Sequence, residues 1–455
     1  MIKTLPRAGL PLAILVALVV PLALFAAPAA QPLDVAGYLG SSYGDVVKEE
    51  PTARQNESKL WWHDGRWWAI LYNDVTDTDQ IYWLELATHG WIYTGVPVDA
   101  RGQARSDVLW DEEAGKLYVA SHIKVENPTP ATNEELWARL YRFSYNAGSR
   151  TYTLDGGYPV TINRERTETL VIDKDSTGRL WITFVSRETS QSTDYQVYVN
   201  ATTGEDHLWG TPFPLPYAGA TVDVDDFSTL IAFSDDGGPR IGVMWSNQID
   251  DNFYFATHDD TAPPGGGWTL DPPGFGVGYP ADDHISLGKT QAGQVFAVVK
   301  AETVTPGDVL IGVVARDRDG SYSFHPTSPV GSVDTRPALA VHEQQGRVYV
   351  FTVSKTAGGQ ICMSSAAITS PLSVMAFPYE NCPTPVDVEP PEGLELFISS
   401  STYTNINNPT TAKHSTTFHS GIVVLASDDT NGRVYVHNYL DTQLPYSVYL
   451  PAVLR

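Results

Sequence analysis

The sequence predicts an all-β protein: a single seven-bladed β-propeller of four-stranded antiparallel blades, with six blades as the alternative count. Three observations predict it. A short phrase, a glycine turn followed by a dense run of aliphatic and aromatic residues, occurs seven times. Its glycines, Gly65, Gly115, Gly178, Gly238, Gly293, Gly346 and Gly421, lie 50–75 residues apart. A period of roughly 40–60 residues with several strands per unit marks a propeller. No stretch carries the apolar period of a long amphipathic helix.

The phrase has a physical reading. The glycine supplies the positive φ of a hairpin turn. The run after it, such as Trp67-Trp68-Ala69-Ile70-Leu71-Tyr72, suits a strand covered on both faces. One blade cannot bury both its faces, so blades stack, and closing the ring leaves no end blade exposed. The 12 tryptophans and 23 tyrosines then serve mainly as packing between blades.

Each glycine run is read as the second strand, B, of a blade, preceded by A and followed by C and D. The A strands are expected at residues 59–62, 107–110, 168–172, 228–233, 284–287, 338–341 and 415–418. In the sixth blade, C is expected at residues 360–364 and D at 373–377. The proline-rich linker 383–391 accounts for the longest interval. The seventh blade shows three strands before residue 441. Residues 35–47 are the expected source of its fourth strand, with 446–450 competing.

The 455 residues divide into 1–29, a signal peptide; 30–54, an N-terminal segment closing the ring; 55–440, the propeller; and 441–455, a C-terminal tail. In the first of these, Lys3 and Arg7 precede an apolar run, and small residues follow at Ala26, Ala27 and Ala29. The run is short and broken by Pro11 and Pro21, which argues against a membrane span after cleavage. A location outside the cytoplasm follows, secreted or at the cell surface.

The formal charge is −24. That excludes nucleic acid as a partner, since its binding needs clustered cations. Solubility explains the acidity, and loosely held Ca²⁺ is the one cofactor that paired loop carboxylates admit. No EF-hand, zinc spacing or phosphate-cradling loop occurs. The two cysteines, Cys362 and Cys382, are expected to bond in an oxidising compartment. Cys362 opens strand C of the sixth blade and Cys382 follows the expected D, which antiparallel pairing would bring together.

Four phrases resemble a known group: Trp61-Trp62-His63-Asp64-Gly65-Arg66-Trp67-Trp68, Val243-Met244-Trp245-Ser246-Asn247-Gln248, Ala281-Asp282-Asp283-His284-Ile285 and Val424-Leu425-Ala426-Ser427-Asp428. They resemble secreted bacterial propellers of sialidase-like (BNR-type) fold, over roughly residues 56–440. The resemblance implies a scaffold and not a reaction. The Arg-Ile-Pro motif of sialidases is missing. The nearest approaches to their aspartate boxes, at residues 317–322 and 427–432, have the wrong spacing.

In a propeller the A strands line the central channel, and their starts share one mouth with the B–C loops. The residues at those starts are charged in every blade. Asp107, Glu168, Asp283 and His284 are the candidate acids and bases, as glycoside hydrolysis would require. Arg105, Arg166, Arg336 and Lys413 are the candidate ligand-binding cations, since guanidinium groups grip carboxylates and hydroxyls bidentately. The competing reading makes the same residues channel-lining ion pairs. For His284 the bland alternative is a hydrogen bond to a neighbour. No Gly-x-Ser-x-Gly turn supports a serine triad.

The function read from the sequence is a secreted propeller, expected as a monomer, that binds a polar ligand at the channel mouth. An extracellular glycan or other polar polymer is the expected partner. The alternatives are a glycoside hydrolase or lyase using the same residues, and a structural surface protein.

Overall fold

A computed structural model describes residues 30–442, apart from 45–49, 53, 55, 273–278, 304, 333, 355–358, 384–390 and 431. The expected signal peptide and residues 446–450 lie outside the described residues. The chain forms seven antiparallel blades around one axis. The first is Leu60–His63, Arg66–Asn73, Thr78–Glu85 and Gly90–Pro97, each strand paired with the next. The innermost strands of the next five blades are Ala104–Asp111, Val171–Lys174, Ser228–Asp235, Ala281–Lys289 and Asp334–His342. The seventh is Ile406–Thr410.

All seven recurring glycines have positive φ, from 57° to 110°. Gly293 shows why a side chain is excluded there: a Cβ would lie 1.8 Å from the Ser234 carbonyl oxygen of the preceding blade.

The core is divided in the way stacking demands. Among the described residues, seven hydrophobic clusters form, each shared by two adjacent blades. Trp67, Leu71, Val423 and Tyr435 join the last blade to the first, for example, and Trp68, Ile70, Val119 and Phe143 join the first to the second. Burying one such large side chain contributes about 1.5–3 kcal/mol.

The ring closes through Tyr38–Ser42, which pairs with Val434–Leu440 as the fourth strand of the seventh blade. Gln31–Pro32 adds a short fifth strand outside it.

Two strand expectations are corrected. In the sixth blade, residues 373–377 do not form strand D. Leu372–Val374 is a 3-10 turn, and the outer strand is Leu394–Ile398, beyond the proline-rich linker. Pro371 starts the turn, and residues after it lack the alternation of a paired strand. Cys362 and Cys382 are bonded, with Cα atoms 5.8 Å apart, but Cys382 reaches strand C from a loop. In the seventh blade the inner strand is Ile406–Thr410 and not residues 415–418. Asn408 has φ 51° and Pro409 lacks an amide hydrogen, so neither reads as strand in sequence. Lys413 and His414 therefore follow the seventh A strand instead of opening it.

Among the described residues, no helix is long and apolar enough to cross a membrane.

Candidate functional site

The inner strands all run in the same direction along the axis, so their starts meet at one end of the channel. Three of them carry a bulge there. In the fifth blade, Asp282, Asp283 and His284 stand against the single residue Lys300, between the pairs Ala281–Ala301 and Ile285–Val299. In the sixth, Arg336 and Pro337 stand against Thr352. In the seventh, Asn408 and Pro409 stand against Ala426. Arg336 has φ 49°. A non-glycine residue in that region is strained, and such strain concentrates where a side chain must be aimed.

The hub of the mouth is Glu50. Its carboxylate is shared by Lys124 at 2.8 Å, Arg54 at 3.0 Å and Arg105 at 3.8 Å. Arg54 also meets Glu168 at 2.8 Å and feels the charge of Asp283. Arg336 feels Arg54, Glu50 and Asp283. The structure thus brings Arg105, Glu168, Asp283, His284 and Arg336 to one mouth from four blades.

Their electrostatics are uneven. Burial pulls the Arg105 guanidinium down, with Glu50 opposing. Burial pushes Glu168 up to about 8; Arg54 opposes it, and Glu126 and Asp283 reinforce it. Against burial, Arg54 and Lys124 hold Glu50 below the usual carboxylate range. The mouth thus gathers Arg54, Arg105, Lys124 and Arg336 around Glu50, inside a chain whose formal charge is −24.

Among the described residues, several polar atoms here are buried without a hydrogen-bond partner. They are Nε, Nη1 and Nη2 of Arg105, Nε of Arg336, Oε2 of Glu168 and Nε2 of His284. Such atoms are few in folded proteins, and each asks for an explanation.

Asp282, Asp283 and His284 form a compact group whose candidate ligand atoms lie within 4.8 Å of one another. The donor set is that of a cation site. It is already internally compensated: His284 Nδ1 lies between the two carboxylates, and Lys300 pairs with Asp282. The imidazole is pushed up by Asp283 and Asp282, against burial.

The other candidates lie elsewhere. Asp107 is fully buried deeper in the channel. One oxygen accepts the Ser58 amide at 2.7 Å and the other the Ile172 amide at 2.8 Å, so it ties three blades together. Lys413 pairs with it from the seventh blade. Burial lifts Asp107 to about 6 despite Lys413. Glu57 does similar work nearer the mouth: it receives His122 Nε2 at 2.7 Å and the Leu170 amide at 3.1 Å. Arg166 lies on a two-residue strand, Glu165–Arg166, paired with Thr129–Pro130.

Sequence reading did not single out Glu50, Lys124 and Glu126. Lys124 and Glu126 belong to the B–C connection of the second blade, and those connections share the mouth by topology. Glu50 had no such signal, because nothing in its polar surroundings marks a turn back into the channel.

No family model matches the chain, and no curated protein sequence matches it. Solved structures similar to it include AofleA from Arthrobotrys oligospora, 10% identical with a TM-score of 0.45, covering 74% of this chain and 92% of that one. The NanB sialidase from Streptococcus pneumoniae is 10% identical with a TM-score of 0.37, covering 88% and 70%. The GH43_1 enzyme from Xanthomonas citri, complexed with xylose, is 12% identical with a TM-score of 0.35, covering 61% and 90%.

Proposed function

We propose that the channel mouth binds an anionic, oxygen-rich ligand, namely an extracellular carbohydrate carrying carboxylate or sulfate groups. The observation that supports this reading is Arg105. Its side chain is 1% exposed, and none of its three guanidinium nitrogens makes a hydrogen bond among the described residues. A buried cation left in that state costs the fold several kcal/mol. A carboxylate or sulfate would accept two parallel bonds from it and remove the penalty. Glu50, 3.8 Å away, already holds an acid group beside Arg105. The ligand's acid group takes that place, with Arg54 and Arg336 at its sides.

The test is an array of sialylated, uronic-acid and sulfated glycans printed beside neutral ones. The parent binds acidic members, Arg336→Ala loses them, and Glu50→Ala binds them more tightly because the internal competitor is gone. An array on which acidic members gain nothing over neutral ones overturns the proposal.

A second reading, glycoside hydrolysis, is favoured by one observation. Glu168, lifted to about 8, keeps its proton at neutral pH, as a general acid must. Asp283 is the carboxyl group available as its counterpart. A panel of chromogenic glycosides separates the two readings: turnover abolished by Glu168→Gln supports hydrolysis, and binding without turnover leaves the mouth a lectin-like site.

A further inference from the structure

At the opposite end of the channel, where the inner strands finish, the axis opens into a chamber of about 960 Å³. Between it and the mouth the channel narrows to a void of about 20 Å³. The Lys413–Asp107 pair stands there, and Lys413 also donates to the Ile172 carbonyl. The two ends are therefore separate spaces with different walls.

The chamber's wall carries more acid than base, with Asp111, Glu112, Glu113, Asp173 and Asp175 against Lys174, Lys289 and Lys413. Lys174 meets Asp111 at 2.5 Å. Lys289 donates to the Ala232 carbonyl, and Asp173 accepts the Ala232 amide at 2.8 Å. The lysines are engaged and outnumbered by carboxylates, so an anionic ligand gains little here. Trp62 and Trp110 form part of the wall. Trp62 is half-buried, braced edge-on by Trp67 at 5.7 Å between ring centroids. His414 lines the space and is solvent-accessible. Burial lowers its pKa to about 4, and Lys289 and Lys413 add to the effect against Asp173. At neutral pH the imidazole is uncharged and both donates and accepts hydrogen bonds.

We infer that this chamber is a second ligand site, for a neutral oligosaccharide of two or three sugar rings. The walls combine indole rings with donors and acceptors of both kinds. A pyranose offers the matching pattern, an apolar ring face fringed with hydroxyl groups. A lipid would strand the polar groups, and an anion would have to break the Lys174–Asp111 pair to be held. The volume lies at the top of the roughly 300–1,000 Å³ range of small-ligand pockets, which favours more than one ring. The inference does not rest on the mouth binding anything.

The test uses an array of neutral di- and trisaccharides, with affinities of its hits taken by calorimetry. At least one neutral member binds the parent and binds Arg105→Ala equally well. Trp62→Ala and His414→Ala each weaken it tenfold or more, and Trp62→Phe restores most of the loss. His414 faces the chamber, so its variant keeps the parental melting temperature and separates binding from folding. An array without a neutral hit overturns the inference. So does neutral binding that survives both Trp62→Ala and His414→Ala, or that falls with Arg105→Ala.

Discussion

Arg54 meets Glu168 at 2.8 Å, yet the Glu168 carboxyl is held at about 8. The pair does not behave as a simple salt bridge, because Arg54 is shared with Glu50 at 3.0 Å and burial outweighs what attraction remains. The mouth is tuned to keep one acid protonated beside a group of cations.

A pH dependence follows, and its sign is fixed. The folded pKa of Glu168 lies above the unfolded value of about 4.3. The associated stability is fully present below that value and is lost as pH rises toward about 8. Melting temperatures of the parent and Glu168→Gln, compared from pH 4 to 9, isolate the group. The parent falls relative to the variant over this interval and levels off above it. A constant difference across the range contradicts the assignment.

Asp107 and Lys413 make a second prediction. Removing one member of a buried ion pair costs about 3–5 kcal/mol, whereas replacing both with apolar groups can be nearly neutral. Asp107→Leu and Lys413→Met should each lower stability by that order in denaturant titration. The double variant should recover part of the loss, less what the Ser58 and Ile172 amides forfeit. Single variants as stable as the parent would remove Asp107 from its role as the tie between three blades.

The disulfide should stabilise the sixth blade through the loop it closes. Cys362 and Cys382 are 20 residues apart, and a loop of that length is worth about 3 kcal/mol. Cys362→Ser with Cys382→Ser should lower the denaturation free energy by about that amount and leave ligand binding at the mouth unchanged. Equal stability with and without the bond contradicts this.

The scaffold was legible because each blade repeats one physical unit. The seven turn glycines, each at positive φ, give the count and phase of the blades, and the dense runs after them are the buried B strands. The inner strands were less legible. Asp282–His284, Arg336–Pro337 and Asn408–Pro409 interrupt the alternation of a strand because they are bulges. The readable parts of those strands began too late in the fifth and sixth blades, and in the seventh the strand was placed after Lys413. These same bulges carry Asp283, His284 and Arg336 to the mouth, so the local breaks in pattern were the site's own signature. The Lys413–Asp107 tie was out of reach, since its members are 306 residues apart, and so were the distant contacts of Glu50 with Arg105 and Lys124.

The most direct test of the account is Arg105→Leu, with melting temperature and binding to the acidic glycans of the array measured on the same preparation. Arg105 is 1% exposed and its guanidinium nitrogens make no hydrogen bond among the described residues. If it waits for a ligand, the variant melts at or above the parental temperature, because an uncompensated buried charge is gone, and acidic-glycan binding falls at least a hundredfold. A variant destabilised by several kcal/mol that still binds acidic glycans as the parent does would contradict the account, and would make Arg105 a structural partner of Glu50.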